Sequence, residues 1–196
     1  MPPQLYPHQI TGIDSMVKCL RPQTTSSRPR GVLLADALGL GKTRQVIGTL
    51  VRLGAQRCLL VVPASVLHHW RSEIQQMGYE GRVILLHHSE TKTLPPHLQI
   101  SQTVGQVLVV TTYKTFERAR LWTRQWDFLA LDEANVCKNP QTHISKLMKL
   151  LVKTPYKILI TGTPSQNDLN EVHSLFEIID PDVLGPKDVF ERAYTL

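Results

Sequence analysis

Six short apolar runs rich in β-branched residues alternate with amphipathic stretches along this chain, and this alternation restricts the fold more than any other feature. The runs lie at residues 31–35, 57–62, 82–86, 106–112, 126–132 and 156–161. Continuous apolar runs of this length are typical of strands that are buried on both faces of a parallel sheet. The sequence therefore predicts a doubly wound α/β domain with right-handed crossovers between its strands.

Four amphipathic segments between these runs are predicted to be helices that pack on the sheet. Their apolar residues recur at helical spacing: Val46, Ile47, Leu50 and Val51; Leu67, Trp70, Ile74 and Met77; Ile144, Leu147, Met148 and Leu151; and Leu169, Val172, Leu175, Phe176 and Ile179. We assign most of these residues to the core. Two polar stretches, 21–30 and 89–106, are predicted to be surface loops.

The composition indicates a globular protein of one large domain or two small ones. Of the 196 residues, 42% are hydrophobic, which is enough to form a core, and the net charge of +6 is compatible with a polyanionic partner. Cys19, Cys58 and Cys137 are odd in number and form no C-x-x-C pair, so we expect reduced thiols, two of them buried. No apolar run approaches membrane-spanning length and no signal layout opens the chain, so we expect an intracellular, soluble protein.

The segment "LADALGLGKT" follows the first predicted strand, where doubly wound domains bind their ligands. It resembles the phosphate-binding pattern G-x-x-x-x-G-K-[ST], except that Asp36 replaces the first glycine. Gly39 and Gly41 would let the backbone wrap an anion at a helix amino terminus. Lys42 would reach the β- and γ-phosphates, and the Thr43 hydroxyl would bind Mg²⁺. The alternative is a tight turn beside a solvated lysine.

The segment "LDEANVCKN" follows the fifth predicted strand and places two carboxylates side by side. Adjacent acids at the end of an apolar strand are costly unless they serve a cation. Asp132 is suited to hold Mg²⁺ through water, and Glu133 to orient and deprotonate an attacking water. The alternative is that both are solvated turn residues.

The segment "TGTPSQNDLNEV" follows the sixth predicted strand and forms a hydroxyl-rich turn. Thr161, Gly162 and Thr163 could sense the γ-phosphate or connect the site to another surface. A simple strand-to-helix turn with a capping side chain explains the same residues equally well.

In this order, the three motifs resemble those of the first RecA-like lobe of the Swi/Snf-type ATP-dependent DNA translocases, in helicase superfamily two. That family's loop usually reads D-E-M-G-L-G-K-T, so an aspartate at position 36 follows the family pattern. The resemblance implies a RecA-like P-loop NTPase, a three-layer α/β sandwich with a mostly parallel sheet, spanning residues 1–196. It also implies ATP and Mg²⁺ as cofactors. Nucleotide would contact Asp36, Gly39, Leu40, Gly41, Lys42 and Thr43; Lys42, Asp132 and Glu133 would be catalytic; and Thr43 and Asp132 would hold Mg²⁺.

The resemblance assigns further segments as well. "LYPHQITGI" is similar to the family's adenine motif, in which Gln9 would read the base edge. "LLVVPASVLHHWRSEI" and "VVTTYKTF" are similar to motifs that face DNA, although for Trp70 and Tyr113 we favour core packing. The DNA-facing residues would be Pro63, Ser65, Thr111, Thr112 and Lys114. The coupling residues would be Asn135, Thr161, Gly162 and Thr163.

Two positions depart from the family pattern. Ala37 replaces a glutamate that has no role in the scheme above, so function is expected to survive this change. Asn135 replaces the histidine that usually ends the D-E-A-H sequence. Asparagine also donates and accepts hydrogen bonds, but it is shorter and cannot change charge. This substitution bears on the coupling between ATP hydrolysis and DNA movement.

The family's motors carry a second RecA-like lobe that supplies an arginine finger, worth roughly 10³–10⁵ in rate. Because the sequence stops soon after the coupling motif, we expect a single lobe that turns over little ATP alone. The intact protein is expected to step along duplex DNA, bare or in nucleosomes, in the nucleus if the source is eukaryotic. Alternatives are a strand-separating helicase, a restriction-enzyme motor, or a degenerate scaffold that binds DNA without catalysis.

Overall fold

The computed structural model describes residues 4–21, 30–87, 105–151, 153–162 and 169–194. Most of the two predicted loops, 21–30 and 89–106, lies outside these ranges. The backbone of Arg30, which was assigned to the first loop, opens the first strand. No helix within the described ranges is long and apolar enough to cross a bilayer.

Six parallel strands form a single sheet. They are β1 (Arg30–Leu34), β2 (Arg57–Val62), β3 (Arg82–Leu86), β4 (Val107–Thr112), β5 (Phe128–Leu131) and β6 (Tyr156–Ile160). Their order across the sheet is β1-β6-β5-β2-β4-β3, and every pairing is parallel. All six predicted strands are therefore confirmed, with ends that differ by no more than two residues.

Seven helices accompany the sheet in the described part of the chain. They are α1 (Pro7–Leu20), α2 (Lys42–Leu53), α3 (Leu67–Gln76), α4 (Tyr113–Arg118), α5 (His143–Lys149), α6 (Leu169–Ile179) and α7 (Lys187–Tyr194). The four predicted helices correspond to α2, α3, α5 and α6. Helices α1, α4 and α7 were not predicted.

The core lies in two layers, one on each face of the sheet. Alternate side chains of β2 point to opposite layers: Leu59 and Val61 to one, Leu60 and Val62 to the other. Helices α1, α2 and α3 cover one face, and α4, α5 and α6 cover the other. The three-layer sandwich is thus confirmed. Val51, predicted to face the core, is instead 48% exposed, because the buried stripe of α2 runs through Val46, Ile47 and Leu50.

A buried lysine ties β6 to α6. Lys157 is fully buried, and its Nζ donates hydrogen bonds to the carbonyl oxygens of Ile178 (2.9 Å) and Ile179 (2.7 Å). These carbonyls end the helix, where a cation is favourable. Burial nevertheless lowers the pKa of Lys157 to about 8.

The three cysteines are free thiols, as expected. Cys58 and Cys137 are buried and Cys19 is exposed, which confirms the prediction of two buried thiols. Burial raises the pKa of Cys137 to about 12 and raises that of Cys58 still further. Both thiols are therefore protonated at neutral pH.

Candidate nucleotide site and nucleic-acid interface

The parallel sheet brings the three predicted motifs to one edge. Strands β1, β6 and β5 are neighbours, and each leads at its carboxyl end into one motif. Parallel strands lie about 5 Å apart, so the ends of β1 and β5 are about 10 Å apart, with the end of β6 between them. Residues almost a hundred positions apart in the chain therefore meet at a single edge.

The loop between β1 and α2 has the backbone shape that its glycines predict. Gly39 and Gly41 adopt left-handed conformations, with φ of 84° and 73°, which other residues adopt only with strain. Helix α2 begins directly after Gly41 and is 12 residues long. Its first backbone N–H groups and the positive end of its dipole face this loop.

The ammonium group of Lys42 lies against the same loop. Its Nζ donates to the backbone carbonyl oxygens of Asp36 (2.7 Å) and Ala37 (3.1 Å). Among the ion pairs of the described residues, none involves Lys42. The positive charge is therefore bonded to neutral oxygens only, which leaves it available to an anion.

Helix α1 supports the loop through Gln9. This side chain is 3% exposed, and its Nε2 donates to the carbonyl of Leu40 at 3.4 Å, while its Oε1 accepts from the backbone N–H of Tyr6 at 3.0 Å. His8 also approaches the Leu40 carbonyl, at 3.2 Å. Gln9, which belongs to the predicted adenine motif, thus connects α1 to the phosphate loop.

Gln45 is a site residue that sequence reasoning missed. It lies on α2, is 1% exposed, and donates from Nε2 to Oδ2 of Asp36 (3.0 Å) and to the Leu40 carbonyl (3.4 Å). Its Oε1 has no hydrogen-bond partner in the described structure. A Cβ at Gly12 would stand 2.0 Å from this oxygen, so the glycine lets α1 approach α2. A polar residue directly before the apolar stripe of α2 was the available signal.

Asp132 is held by hydrogen bonds from four directions. Its N–H continues the sheet by donating to the carbonyl of Val61 at 2.9 Å. Its Oδ2 accepts from the indole Nε1 of Trp70 at 2.7 Å, and its Oδ1 accepts from the N–H of Glu133 at 3.0 Å. Its carbonyl oxygen accepts from the hydroxyl of Tyr113 at 2.7 Å. Both the carboxylate and the backbone of Asp132 are therefore fixed in orientation.

Glu133 adopts a left-handed backbone conformation, with φ of 50°. This region is costly for a residue with a branched or long side chain, and such strain clusters at functional sites. A 3₁₀ turn, Ala134–Cys137, follows directly and places Asn135 at the surface. The conformation turns the chain sharply at the end of β5, where the two carboxylates stand.

The motif after β6 lies beside the phosphate loop. The N–H of Thr161 donates to the carbonyl of Leu34, the last residue of β1, at 3.1 Å. A Cβ at Gly162 would stand 3.3 Å from Cδ2 of Leu38, so the turn approaches the loop closely. Thr163 lies outside the described residues.

Three of the predicted DNA-facing residues, Pro63, Thr112 and Lys114, line a groove at the ends of β2, β3 and β4. Its volume is about 540 Å³, and Ser65 is exposed nearby on the 3₁₀ turn Ala64–Val66. Lys114 is also exposed and contributes its positive charge to this surface. The groove is lined by Val62, Pro63, Ala64, His87, Thr112, Tyr113, Lys114, Thr115 and Arg118.

The two threonines predicted to face DNA are used within the protein. Thr111 is fully buried, and its hydroxyl donates to the carbonyl of Leu86 at 2.9 Å. Thr112 is 5% exposed and caps α4 by accepting from the N–H of Thr115. A phosphate contact at this edge therefore falls to Ser65 and Lys114 and not to the Thr111 side chain.

Comparison with known proteins places this geometry in a family. Residues 8–196 match the SNF2-related domain. The chain is 31% identical to Protein CHROMATIN REMODELING 24 of Arabidopsis thaliana, over 97% of this chain and 18% of that protein. It is 35% identical to the DNA repair and recombination protein RAD54 of Oryza sativa subsp. japonica, over 97% of this chain and 21% of that protein. The chain thus spans about a fifth of the length of these relatives.

Among solved structures, the chain matches the SWI2/SNF2 ATPase core of Sulfolobus solfataricus in complex with dsDNA. The TM-score is 0.79 and the identity 30%, over 98% of this chain and 39% of that one. A second structure of the Sulfolobus solfataricus SWI2/SNF2 ATPase core domain matches with a TM-score of 0.77 and 29% identity. The RecA-like fold implied by the resemblance is confirmed.

Proposed function

This chain belongs to the SNF2-related domain family and forms its nucleotide-binding ATPase lobe, and from that premise we propose that it binds Mg-ATP at the carboxyl edge of the sheet. In this proposal the lobe serves a motor that moves along duplex DNA. The observation that carries the proposal is the placement of Lys42 and the acids Asp132 and Glu133 after two strands separated only by β6. Lysine on one side and paired carboxylates on the other fit a triphosphate with its metal ion.

The residues of the phosphate loop fit the phosphate groups of ATP. The ammonium of Lys42 is bonded only to carbonyl oxygens, and it would exchange these for the stronger acceptors that phosphate supplies. Gly39 and Gly41 leave the loop backbone free of side chains, and Asp36 and Leu40 are anchored to Gln45. These anchors hold the loop in a fixed shape.

Thr43 and Asp132 fit a magnesium ion. Mg²⁺ prefers oxygen ligands and keeps several of its waters, so it needs few ligands from the protein. A hydroxyl at the start of α2 and a carboxylate at the end of β5 would supply two such oxygens. When bound, the ion neutralises charge on the phosphates. The hydrogen bonds from Trp70 and Glu133 fix the orientation of the Asp132 carboxylate, which would hold the ion.

We assign the remaining roles in hydrolysis to the ends of β5 and β6. Glu133 would orient the attacking water and accept its proton. Thr161, Gly162 and Thr163 would sense the terminal phosphate beside the loop. Asn135, which stands where the family has histidine, would take part in coupling through hydrogen bonds alone, because an amide carries no titratable charge.

Duplex DNA is the proposed polymer substrate. The Sulfolobus solfataricus structure that this chain resembles is a complex with dsDNA, and the relatives are named for chromatin remodelling and for DNA repair and recombination. Pro63, Ser65 and Lys114 would meet the phosphate backbone, so binding would weaken with salt and depend little on sequence. The whole protein would add a second RecA-like lobe, act on bare DNA or nucleosomes, and work in the nucleus of a eukaryote.

Nucleotide titration of the lysine variant tests this proposal. We expect the wild-type chain to bind a fluorescent, non-hydrolysable ATP analogue in the presence of Mg²⁺, and Lys42→Ala to weaken that binding by about tenfold or more. If neither protein binds the analogue, a scaffold without nucleotide binding is the better account. Duplex unwinding by the whole protein would point to the strand-separating alternative.

A further inference from the structure

We propose that Trp70 and Tyr113 are positioning residues that carry the effect of DNA contact to Asp132, so that DNA and Mg-nucleotide bind cooperatively. The inference rests on the proposed function, because it takes Asp132 as the residue facing the metal. It assigns roles to two aromatic side chains for which the sequence favoured core packing over contact with nucleic acid.

Three neighbouring strands position Asp132 and the two elements that carry Trp70 and Tyr113. Strands β5, β2 and β4 are adjacent, and each leads at its carboxyl end into a different element. Asp132 follows β5, the turn Ala64–Val66 and α3 follow β2, and α4 follows β4. The turn after β2 and helix α4 after β4 both line the groove, and Trp70 of α3 and Tyr113 of α4 both donate hydrogen bonds to Asp132.

Trp70 connects the exposed turn to the carboxylate. The turn ends at Val66, and Trp70 lies one helical turn further along α3. Leu67, Trp70 and Ile74 are all fully buried along one face of that helix, so one packed helix joins the exposed turn to the indole. A shift of the turn on binding a phosphate backbone would therefore move the indole N–H that is bonded to Oδ2 of Asp132.

Tyr113 connects the second DNA-facing segment to the backbone of the same residue. It opens α4 and directly precedes the exposed Lys114. Its hydroxyl donates to the Asp132 carbonyl at 2.7 Å, and this carbonyl belongs to the peptide that enters the left-handed Glu133. The bond thus restrains the one strained peptide between the two carboxylates.

A second tryptophan shows what a purely structural role looks like. Trp126 is 3% exposed and donates its Nε1 to the backbone carbonyl of Leu121 at 2.9 Å. That bond closes a local turn far from Asp132 in the fold. Trp70, which is also buried, gives its N–H to a carboxylate oxygen, and hydrogen bonds to charged groups are about twice as strong as those between neutral groups.

The test measures nucleotide affinity with and without DNA. The wild-type chain is titrated with a fluorescent, non-hydrolysable ATP analogue and Mg²⁺, first alone and then with saturating short duplex DNA. We expect DNA to tighten nucleotide binding by about fivefold or more, which is the lower end of measured allosteric couplings. Trp70→Phe and Tyr113→Phe should each bring this ratio toward one.

The ratio separates a positioning role from a structural one. A substitution that only disturbs the nucleotide site weakens nucleotide binding by the same factor with and without DNA. It therefore leaves the ratio of the two affinities unchanged. Trp126→Phe and Tyr79→Phe are the matched controls, because Tyr79 also has a buried hydroxyl, without a partner in the described structure. Both controls should keep the wild-type ratio. Thermal melting confirms that each variant is folded, and Tyr113→Phe removes only one oxygen if Trp70→Phe proves unstable.

Each outcome decides the matter. A wild-type ratio of one, with both ligands bound, overturns the inference and leaves the proposed function standing. A wild-type ratio above one that survives in both Trp70→Phe and Tyr113→Phe also overturns it. Failure of the wild-type chain to bind nucleotide at all overturns the proposed function, and the inference falls with it.

Discussion

Gly41 lies so close to Gln9 that a Cβ on the glycine would stand 2.0 Å from Nε2 of the glutamine. The phosphate loop and α1 are therefore fitted to each other at a position where no other residue type has room. Gln9 cannot simply swing away, because its amide is bonded at both ends, to Tyr6 and to Leu40. The close approach makes the shape of the loop depend on α1.

The first prediction compares alanine at the two loop glycines. Both have left-handed φ values, so each substitution introduces backbone strain of about 1–2 kcal/mol. At Gly39 the new methyl group would meet nothing within 4 Å, whereas at Gly41 it would displace the Gln9 amide. We expect Gly41→Ala to lower the free energy of unfolding by about 1 kcal/mol more than Gly39→Ala, since hydrogen bonds of Gln9 are lost.

Urea denaturation of the two variants measures this difference. The Gln9→Ala background is the control, because it removes the side chain with which the methyl group collides. In that background the two glycine substitutions should cost nearly the same. An equal cost in the wild-type background would show that the clash is relieved without loss of the Gln9 hydrogen bonds.

The second prediction concerns the buried Lys157 at alkaline pH. Its pKa is lowered to about 8 in the folded protein, from an ordinary value of 10.5. Between these values the unfolded chain holds a proton that the folded protein has released, so raising the pH favours folding, by at most about 1.4 kcal/mol per pH unit. The stability of the wild-type chain should therefore increase relative to Lys157→Met between pH 8 and pH 10.5.

Denaturation midpoints at several pH values, from 7.5 upward, give the relevant comparison. The difference between wild type and variant isolates the lysine from the cysteines and tyrosines that titrate in the same range. Lys153→Met, at an exposed position, is the control and should show no such trend. A difference between wild type and Lys157→Met that stays flat with pH would contradict the prediction.

The third prediction concerns thiol reactivity. The thiolate is the reactive form of cysteine, and burial both shields Cys58 and Cys137 and raises their pKa values. A disulfide reagent should therefore modify one thiol rapidly in the native protein and all three in denaturant. Cys19→Ser should abolish the rapid reaction. Rapid modification of a second thiol would mean that one core layer opens easily.

The fourth prediction concerns Gln45, which links α2 to the phosphate loop. Gln45→Met keeps the volume of the side chain while removing the hydrogen bonds to Asp36 and Leu40. We expect a several-fold weaker affinity for the ATP analogue, because the loop loses its anchor to α2. Stability should change by less than about 1.5 kcal/mol, since the unpaired Oε1 is removed as well. Titration and urea denaturation of the same sample check both statements.

The strands were predictable because each reads as a continuous apolar run. The four inner strands, β6, β5, β2 and β4, are buried on both faces. Helix α1 was also within reach of the sequence, since Ile13, Met16, Val17 and Leu20 have helical spacing and are all buried. The short helix α4 was not, because its six residues are too few to show a period. It is defined by its cap, Thr112, and by packing.

The positions of the site residues in the chain were predictable, but the hydrogen bonds that hold them were not. The parallel topology follows from the strand pattern and puts all the carboxyl ends at one edge, while the strand order, which the sequence did not predict, makes β1, β6 and β5 neighbours. The partners of Asp132 could not be foreseen, because Trp70 and Tyr113 are 62 and 19 positions away and look like core residues. Thr111 is the opposite case: the family resemblance implied a DNA contact, whereas its hydroxyl, within β4, donates to the carbonyl of Leu86 in the neighbouring strand.

The central claim is that Lys42 and Asp132 act on the same bound nucleotide, Lys42 on its phosphates and Asp132 on its magnesium. Calorimetric titration with a non-hydrolysable ATP analogue, in Mg²⁺ and in EDTA, tests it most directly. The account predicts that Asp132→Asn abolishes the gain in affinity that Mg²⁺ gives the wild-type chain, while Lys42→Ala binds weakly in both conditions. An Asp132→Asn variant that retains the full gain from Mg²⁺, or a Lys42→Ala variant that binds as tightly as wild type, would contradict it.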